Sequence, residues 1–166
     1  MLKVDSNNLD VISTVLNDGI WYYNMLGEVG HLCLPSIDIM NITGKKGYKN
    51  LSFKWSDLNI KFWLTKEEAE FEAKKYLDEV LKYVNKATLN KITKLKSDDT
   101  FYYIFNNEVY ADKIEYSHYN KFKKAFIVIN EYDDDYGFNY DEREYPISKY
   151  GETWALTEKE LKGKRN

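Results

Sequence analysis

LDVISTVLNDGIWYYNMLGEV, residues 9–29, recurs at a constant offset of 80 as LNKITKLKSDDTFYYIFNNEV, residues 89–109. Over the ungapped stretch from Ile12 to Val29, six of 18 positions are identical: Ile12/Ile92, Asp18/Asp98, Tyr22/Tyr102, Tyr23/Tyr103, Glu28/Glu108 and Val29/Val109. Ser13/Thr93, Val15/Leu95 and Trp21/Phe101 keep their chemical type, and Leu9/Leu89 extends the match. A second anchor follows in each half, where Phe62-Trp-Leu-Thr-Lys-Glu-Glu68 resembles Trp154-Ala-Leu-Thr-Glu-Lys-Glu160. Each places a Thr three residues ahead of a Glu, the spacing of a capping box that opens a helix. From the matched Val to the matched Leu the first half runs 35 residues (29 to 64) and the second 47 (109 to 156), an excess of 12. The acidic stretch Glu131 to Tyr145 is the natural place for that excess. The expected architecture is α+β: two tandem, SH3-like β-meander modules related by internal duplication, 1–87 and 88–166, each ending in a helix.

Within the first half, Gly19 to Asn24 is a β-prone run that ends at a turn around Leu26-Gly27-Glu28. His31 to Leu34 and Ile37 to Ile42 alternate with period two around Pro35, Thr43 to Tyr48 reads as a turn, and Leu51 to Trp55 and Ile60 to Leu64 read as strands. A helix is expected from Thr65 to about Ala87, with Ala69, Ala73, Leu77, Val80, Leu81 and Val84 facing a core. Residues 88–97 fit a helix or a strand, and the strand is favoured; Leu9 to Leu16 is equally ambiguous. The second half supplies strands at Thr100 to Phe105, Val109 to Tyr116 and Lys123 to Tyr132, an acidic loop, and a short helix from Thr157.

Hydrophobic residues make up 43% and aromatics 16% of the 166 residues, with 15 Tyr, too much apolar surface for a disordered chain and well suited to sheets. No stretch approaches the ~20 apolar residues of a membrane span and the first residues form no signal peptide, so a soluble cytoplasmic protein is expected. The single cysteine, Cys33, is expected to be a small buried side chain. Only Arg143 and Arg165 are arginine among 24 basic residues, and Lys, Asn, Tyr and Ile abound, as in AT-rich genes. A low-GC bacterium or its phage is the expected setting.

Few residues carry recognisable chemistry. His31 and His118 sit in no catalytic spacing, His31-Leu32-Cys33 lacks the further ligands of a zinc site, and Gly44-Lys-Lys-Gly47 lacks the end of a phosphate loop. No metal, cofactor or enzymatic activity is expected. The net charge of −3 argues against a general nucleic-acid binder, but the charges are segregated. Glu131 to Glu144 holds seven acids and one base, interleaved with aromatics. Carboxylates steer a basic partner while Tyr and Phe supply contact area, so Asp133, Asp134, Asp135, Tyr136, Phe138, Tyr140, Asp141, Glu142 and Glu144 form the expected partner-binding surface, a nucleic-acid mimic for a host protein with a basic groove. The alternative is nucleic-acid binding through Lys45, Lys46, Lys49, Lys82, Lys86 and Lys91, with Trp55 as an exposed aromatic. A further alternative is a small-ligand or nucleotide pocket lined by Trp21, Tyr22 and Tyr23 and by Phe101, Tyr102 and Tyr103. No feature of the sequence specifies an oligomeric state.

The succession of a Tyr-rich strand, a Gly/Asn-Glu-Val turn, a meander and an aromatic-x-Leu-Thr helix start, carried by Trp21 to Val29, Phe62 to Glu68, Phe101 to Val109 and Trp154 to Glu160, resembles small accessory proteins of phages and prophages in low-GC Gram-positive bacteria. The resemblance implies a host-defence inhibitor, of anti-CRISPR or another anti-defence type, and carries over no active-site residues.

Overall fold

The computed structural model describes residues 9–33, 35–37, 41–46, 49–134 and 137–161, with the backbone alone at 46, 49 and 131–139. The described chain is α+β, with helices and separate small antiparallel sheets. It divides into two compact units, Met1–Leu77 and Asp78–Asn166. The division falls inside a long helix rather than after residue 87.

In the first unit α1 (Leu9–Asp18) turns Val11, Ile12 and Val15 toward the core. It stops at Gly19, whose amide donates to the Val15 carbonyl (3.0 Å) in the left-handed conformation, φ +78. The hairpin β1 (Ile20–Tyr23) and β2 (Val29–Leu32) follows. Asn24 shapes its turn by accepting the Leu26 and Glu28 amides on Oδ1 (2.9 and 3.0 Å). Strands β3 (Ser36–Ile37), β4 (Asn41–Lys46) and β5 (Lys49–Lys54) form a second sheet, and a 3-10 turn, Trp55–Asp57, leads back to a bridge between Trp63 and Trp21. Strand alternation brings Ile20, Leu32 and Ile42 together with Val15, Trp55 and Phe62 in one core. Tyr23 projects from the opposite face of β1, where its ring lies 5.3 Å from Trp63 and 5.6 Å from Tyr76 of α2 (Lys66–Val80). Thr65 caps α2 as expected, accepting the Glu68 amide (3.3 Å) and donating to the Glu68 carboxylate (2.9 Å).

The second unit runs through the same order of elements. Helix α3 (Lys86–Ile92) precedes the hairpin β6 (Thr100–Phe105) and β7 (Glu108–Lys113), and the sheet β8 (Tyr116–Asn120), β9 (Ala125–Asp134) and β10 (Gly137–Pro146) follows. A 3-10 turn, Ile147–Lys149, then leads to β11 (Trp154–Ala155), which pairs back onto β6. Phe101, Phe126 and Trp154 are fully buried, and with Tyr145 they make an aromatic core with ring separations from 5.0 to 6.5 Å.

Several expectations are corrected. Residues 88–97, favoured as a strand, begin inside α3, because Asn85 Oδ1 accepts the Thr88 amide (2.8 Å) and Leu89 and Ile92, three apart, are buried on one helical face. The long helix to Ala87 is therefore two helices, while Leu9 to Leu16 is helical. Thr43 to Lys46, read as a turn, belongs to β4; Ile37 and Ile42 face each other across a β3–β4 pair instead of sharing a strand. The run from Ile60 to Leu64 is mostly turn, joining β1 only at Trp63. Val109 to Tyr116 is broken between β7 and β8. Among the described residues after Thr157 there is a 3-10 turn, Glu158–Glu160, and no α-helix: Thr157 donates to the Glu160 carboxylate (2.9 Å) but caps no amide. Cys33, expected buried, is exposed.

The hairpins also refine the offset of 80. Val29 faces Tyr23, yet Val109 faces Ile104, one residue later than the offset requires. Asn106 and Asn107, both at positive φ (50 and 64), make a tight two-residue turn in the second hairpin, one residue shorter than the path through Asn24 and Gly27. Within the first strand the offset is accordingly 81: Ile20 and Phe101 both enter a core, and the Trp21–Trp63 bridge has its counterpart in Tyr102–Ala155.

Candidate functional site

The acidic stretch is not a loop. Residues 131–134 and 137–144 continue the ladder of β9 and β10, whose register runs from Ala125–Pro146 to Asp134–Gly137; Asp135 and Tyr136 lie outside the described residues. The base of this ribbon is anchored by Ala125, Phe126, Ile127 and Val128, all buried. Because alternate residues share a face and directly opposed residues share it too, the register places Glu131, Asp133, Phe138, Tyr140, Glu142 and Glu144 together. Each of four successive rungs then carries one carboxylate: Glu144 opposite Ile127, Glu142 opposite Ile129, Glu131 opposite Tyr140, and Asp133 opposite Phe138. Asp134 and Asp141 fall on the other face. Tyr140 is 70% exposed, and Glu142 and Glu144 are exposed.

Among the described side chains of the stretch, Asp141 and Glu144 form ion pairs. Arg143 donates to Asp141 from Nε (2.7 Å), and the Lys123 ammonium pairs with Glu144. The hydrogen bond and charge of Glu144 raise the Lys123 pKa against a smaller desolvation effect, and the Asp141 contact likewise holds Arg143 in its charged form. At the base of the ribbon Tyr145 is pushed up to about 12 by burial, an effect that the nearby Arg143 guanidinium partly offsets.

The lysines of the alternative surface are divided between the two units. Lys45 is exposed near the end of the β4–β5 hairpin, where the backbone pairs Lys46 directly with Lys49; the side chains of Lys46 and Lys49 lie outside the described residues. Lys82, Lys86 and Lys91 are exposed, but Lys86 and Lys91 are five residues apart on α3 and so point roughly 140° from one another. Trp55, assigned to that surface as an exposed aromatic, is in the core of the first unit. The paired aromatic walls of a pocket are also not observed as expected, since Tyr23 and Phe101 are buried and Tyr22 packs against the first core.

Two features lie outside the expected sites. The first is a histidine–thiol contact. His31 Nε2 lies 2.7 Å from the Asp18 carbonyl, which can only accept, so in the neutral ring Nδ1 is the acceptor and faces the Cys33 sulfur at 3.1 Å. Trp21 stacks on the imidazole at 4.0 Å, and the missing side chain of Gly19 leaves room for it. Among the described residues no group of three or more His, Cys, Asp or Glu side chains is placed to hold a metal ion.

The second is a cleft of about 800 Å³ in the second unit. Tyr102, Ile104, Val109 and Ala111 floor it, Asn107, Glu108 and Tyr110 rim it on one side, and Glu158, Lys159 and Leu161 on the other. Its sequence signal is small: Ala155 stands where the matched motif of the first half has Trp63. A smaller depression of about 420 Å³ in the first unit lies between Trp63 and the exposed Phe71, among Glu67, Glu68 and Glu72.

No helix among the described residues is long and apolar enough to cross a membrane. Comparison with protein-family models, with curated proteins and with solved structures finds no match for the chain.

Proposed function

We propose that the protein is a non-enzymatic binding protein of the anti-defence kind that phages direct at their hosts. It presents the β9–β10 ribbon to a basic site on a nucleic-acid-processing or defence protein, carboxylates standing in for phosphates. The observation that carries the reading is the β9–β10 register, which gives four successive rungs of one face an acidic residue each, two from each strand, with Phe138 and Tyr140 at positions of the same face. Rungs on one face are roughly 7 Å apart, so the register spaces the acidic positions regularly along the paired strands. The ion pairs at Asp141 and Glu144 moderate the charge near the base, and Glu131, Asp133, Asp134 and Glu142 are the acids to alter first. The units that hold the ribbon are inferred to descend from one duplicated SH3-like meander. Their equivalent hairpins have diverged, β4–β5 ending in Lys45, Lys46 and Lys49 and β9–β10 in acids.

The test is capture from a low-GC Gram-positive lysate on the immobilised full chain. Captured protein should be released by duplex DNA and by raised salt, and capture should fail for the combined Glu131→Gln, Asp133→Asn, Asp134→Asn and Glu142→Gln variant. Unchanged capture with unchanged salt dependence would sink the mimic reading.

A second reading rests on Lys46 facing Lys49. The backbone register sets these two lysine positions opposite one another beside Lys45, a concentration of positive charge suited to a nucleic-acid backbone. Single-stranded nucleic acid is the probe in a gel-shift titration; binding lost on replacing Lys45, Lys46 and Lys49 by Gln supports it, and no binding removes it.

A further inference from the structure

The two units treat the same hairpin face differently. In the first, the face of β1–β2 opposite the core is closed by Trp63, whose backbone pairs with Trp21, and by α2. Ala69, Ala73 and Tyr76 of α2 are buried, Tyr76 donates its hydroxyl to the Met25 carbonyl (2.8 Å), and Leu77 lies so close to Gly27 that a Cβ there would sit 2.4 Å from it. The rungs on that face are Trp21–His31 and Tyr23–Val29. In the second unit the corresponding rungs are Tyr102–Ala111 and Ile104–Val109, and these form the floor of the 800 Å³ cleft. Ala155 replaces the Trp63 indole with a methyl group. Where α2 follows Thr65, a three-residue 3-10 turn follows Thr157, and no described helix lies over the face. Val109, on that face, consequently remains 38% exposed.

The geometry points to this cleft as a docking site for an amphipathic α-helix of a partner protein, with small residues at i and i+4, an aromatic at i+7, and basic flanks. The apolar spacing is that of Ala69, Ala73 and Tyr76, the residues that close the equivalent face in the first unit. The basic flanks follow from the rim, where Glu108 and Glu158 border the cleft against a single cation, Lys159. The site is distinct from the β9–β10 ribbon, and the inference stands whether or not the ribbon reading does.

The experiment titrates the full chain into two fluorescently labelled peptides, one of residues 65–80 as they stand and one with Glu67→Lys, Glu70→Lys and Asp78→Lys, and follows anisotropy. The basic peptide should bind, and the native one about tenfold or more weakly. Ala111→Trp, at an exposed position on the cleft floor, should reduce binding by about tenfold or more, since it fills the space a helix would take. Val109→Asp, also exposed, is the second blocking variant should the first disturb folding. Glu108→Lys with Glu158→Lys should reverse the preference between peptides. Binding of neither peptide, binding indifferent to both blocking variants, or binding lost with the neutralised ribbon would overturn the inference. Sedimentation of the chain alone completes the test: a dimer that Ala111→Trp dissolves assigns the cleft to a second copy and overturns the partner helix.

Discussion

Gly19 holds three things together: it ends α1, starts β1, and leaves space against the Leu32 carbonyl and the His31 ring. A Cβ built there lies 2.3 Å from the Leu32 oxygen, and φ +78 disfavours any side chain. Gly19→Ala should therefore cost about 2 kcal/mol or more, measured as a shift in the denaturant midpoint. Next to it, His31→Gln should change the rate at which iodoacetamide alkylates Cys33, because the ring nitrogen 3.1 Å from the sulfur is removed; equal rates would show the contact to be inert. Tyr145 offers a pH test. Burial raises it to about 12 from the ordinary 10.0, so the folded state holds this proton where the unfolded state releases it. Its contribution is fully present below pH 10 and is lost as the pH rises toward 12, which Tyr145→Phe should abolish when denaturant midpoints are compared across that window. Of these residues, only the pairing of His31 with Cys33 on one strand face could be read from their spacing. The Gly19 contact and the burial of Tyr145 come from chain segments that meet only in the fold.

Among the elements, helices were the harder to place. In residues 88–97 Asn85 and Thr88 read as helix-weakening and the matched Ile92 and Leu95 precede a turn, which favours a strand, whereas Asn85 is the N-cap that starts α3. The cap decides the matter, so Asn85→Ala should destabilise the second unit by about 1 kcal/mol, with loss of helical signal in far-ultraviolet circular dichroism during denaturation. Thr65 and Thr157 show the limit of a motif. Both sit three residues before a Glu, yet only Thr65 accepts the backbone amide that starts a helix. Sheet elements were more legible, and β6 falls where its β-prone run predicts. The acidic stretch was recognised by composition but misread as a loop, since its carboxylates conceal a ladder whose opposing strands pair over ten rungs. Pairing of this kind depends on a partner strand and leaves little trace in the strand itself.

At the scale of the whole molecule, the charge distribution makes the proposed partner surface testable without knowing the partner. Charges on an exposed ribbon are screened over about 10 Å at 0.1 M salt, so capture through it should weaken steadily with ionic strength, and the neutralised variant should show a flatter dependence. Peptide binding in the cleft, dominated by apolar contact, should keep more of its strength in salt, and that difference separates the two surfaces. The sequence by itself determined that two similar runs exist, that the chain buries an aromatic core, and that its acids are concentrated in the second half. It could not determine which face each aromatic occupies. The ungapped match aligned Tyr22 with Tyr102, but the tighter Asn106-Asn107 turn slips the pairing by one, so that Tyr22 packs on a core and Tyr102 floors a cleft. Side chains alternate with period two along a strand, so a slip of one residue exchanges the faces, and only the paired hairpin settles it.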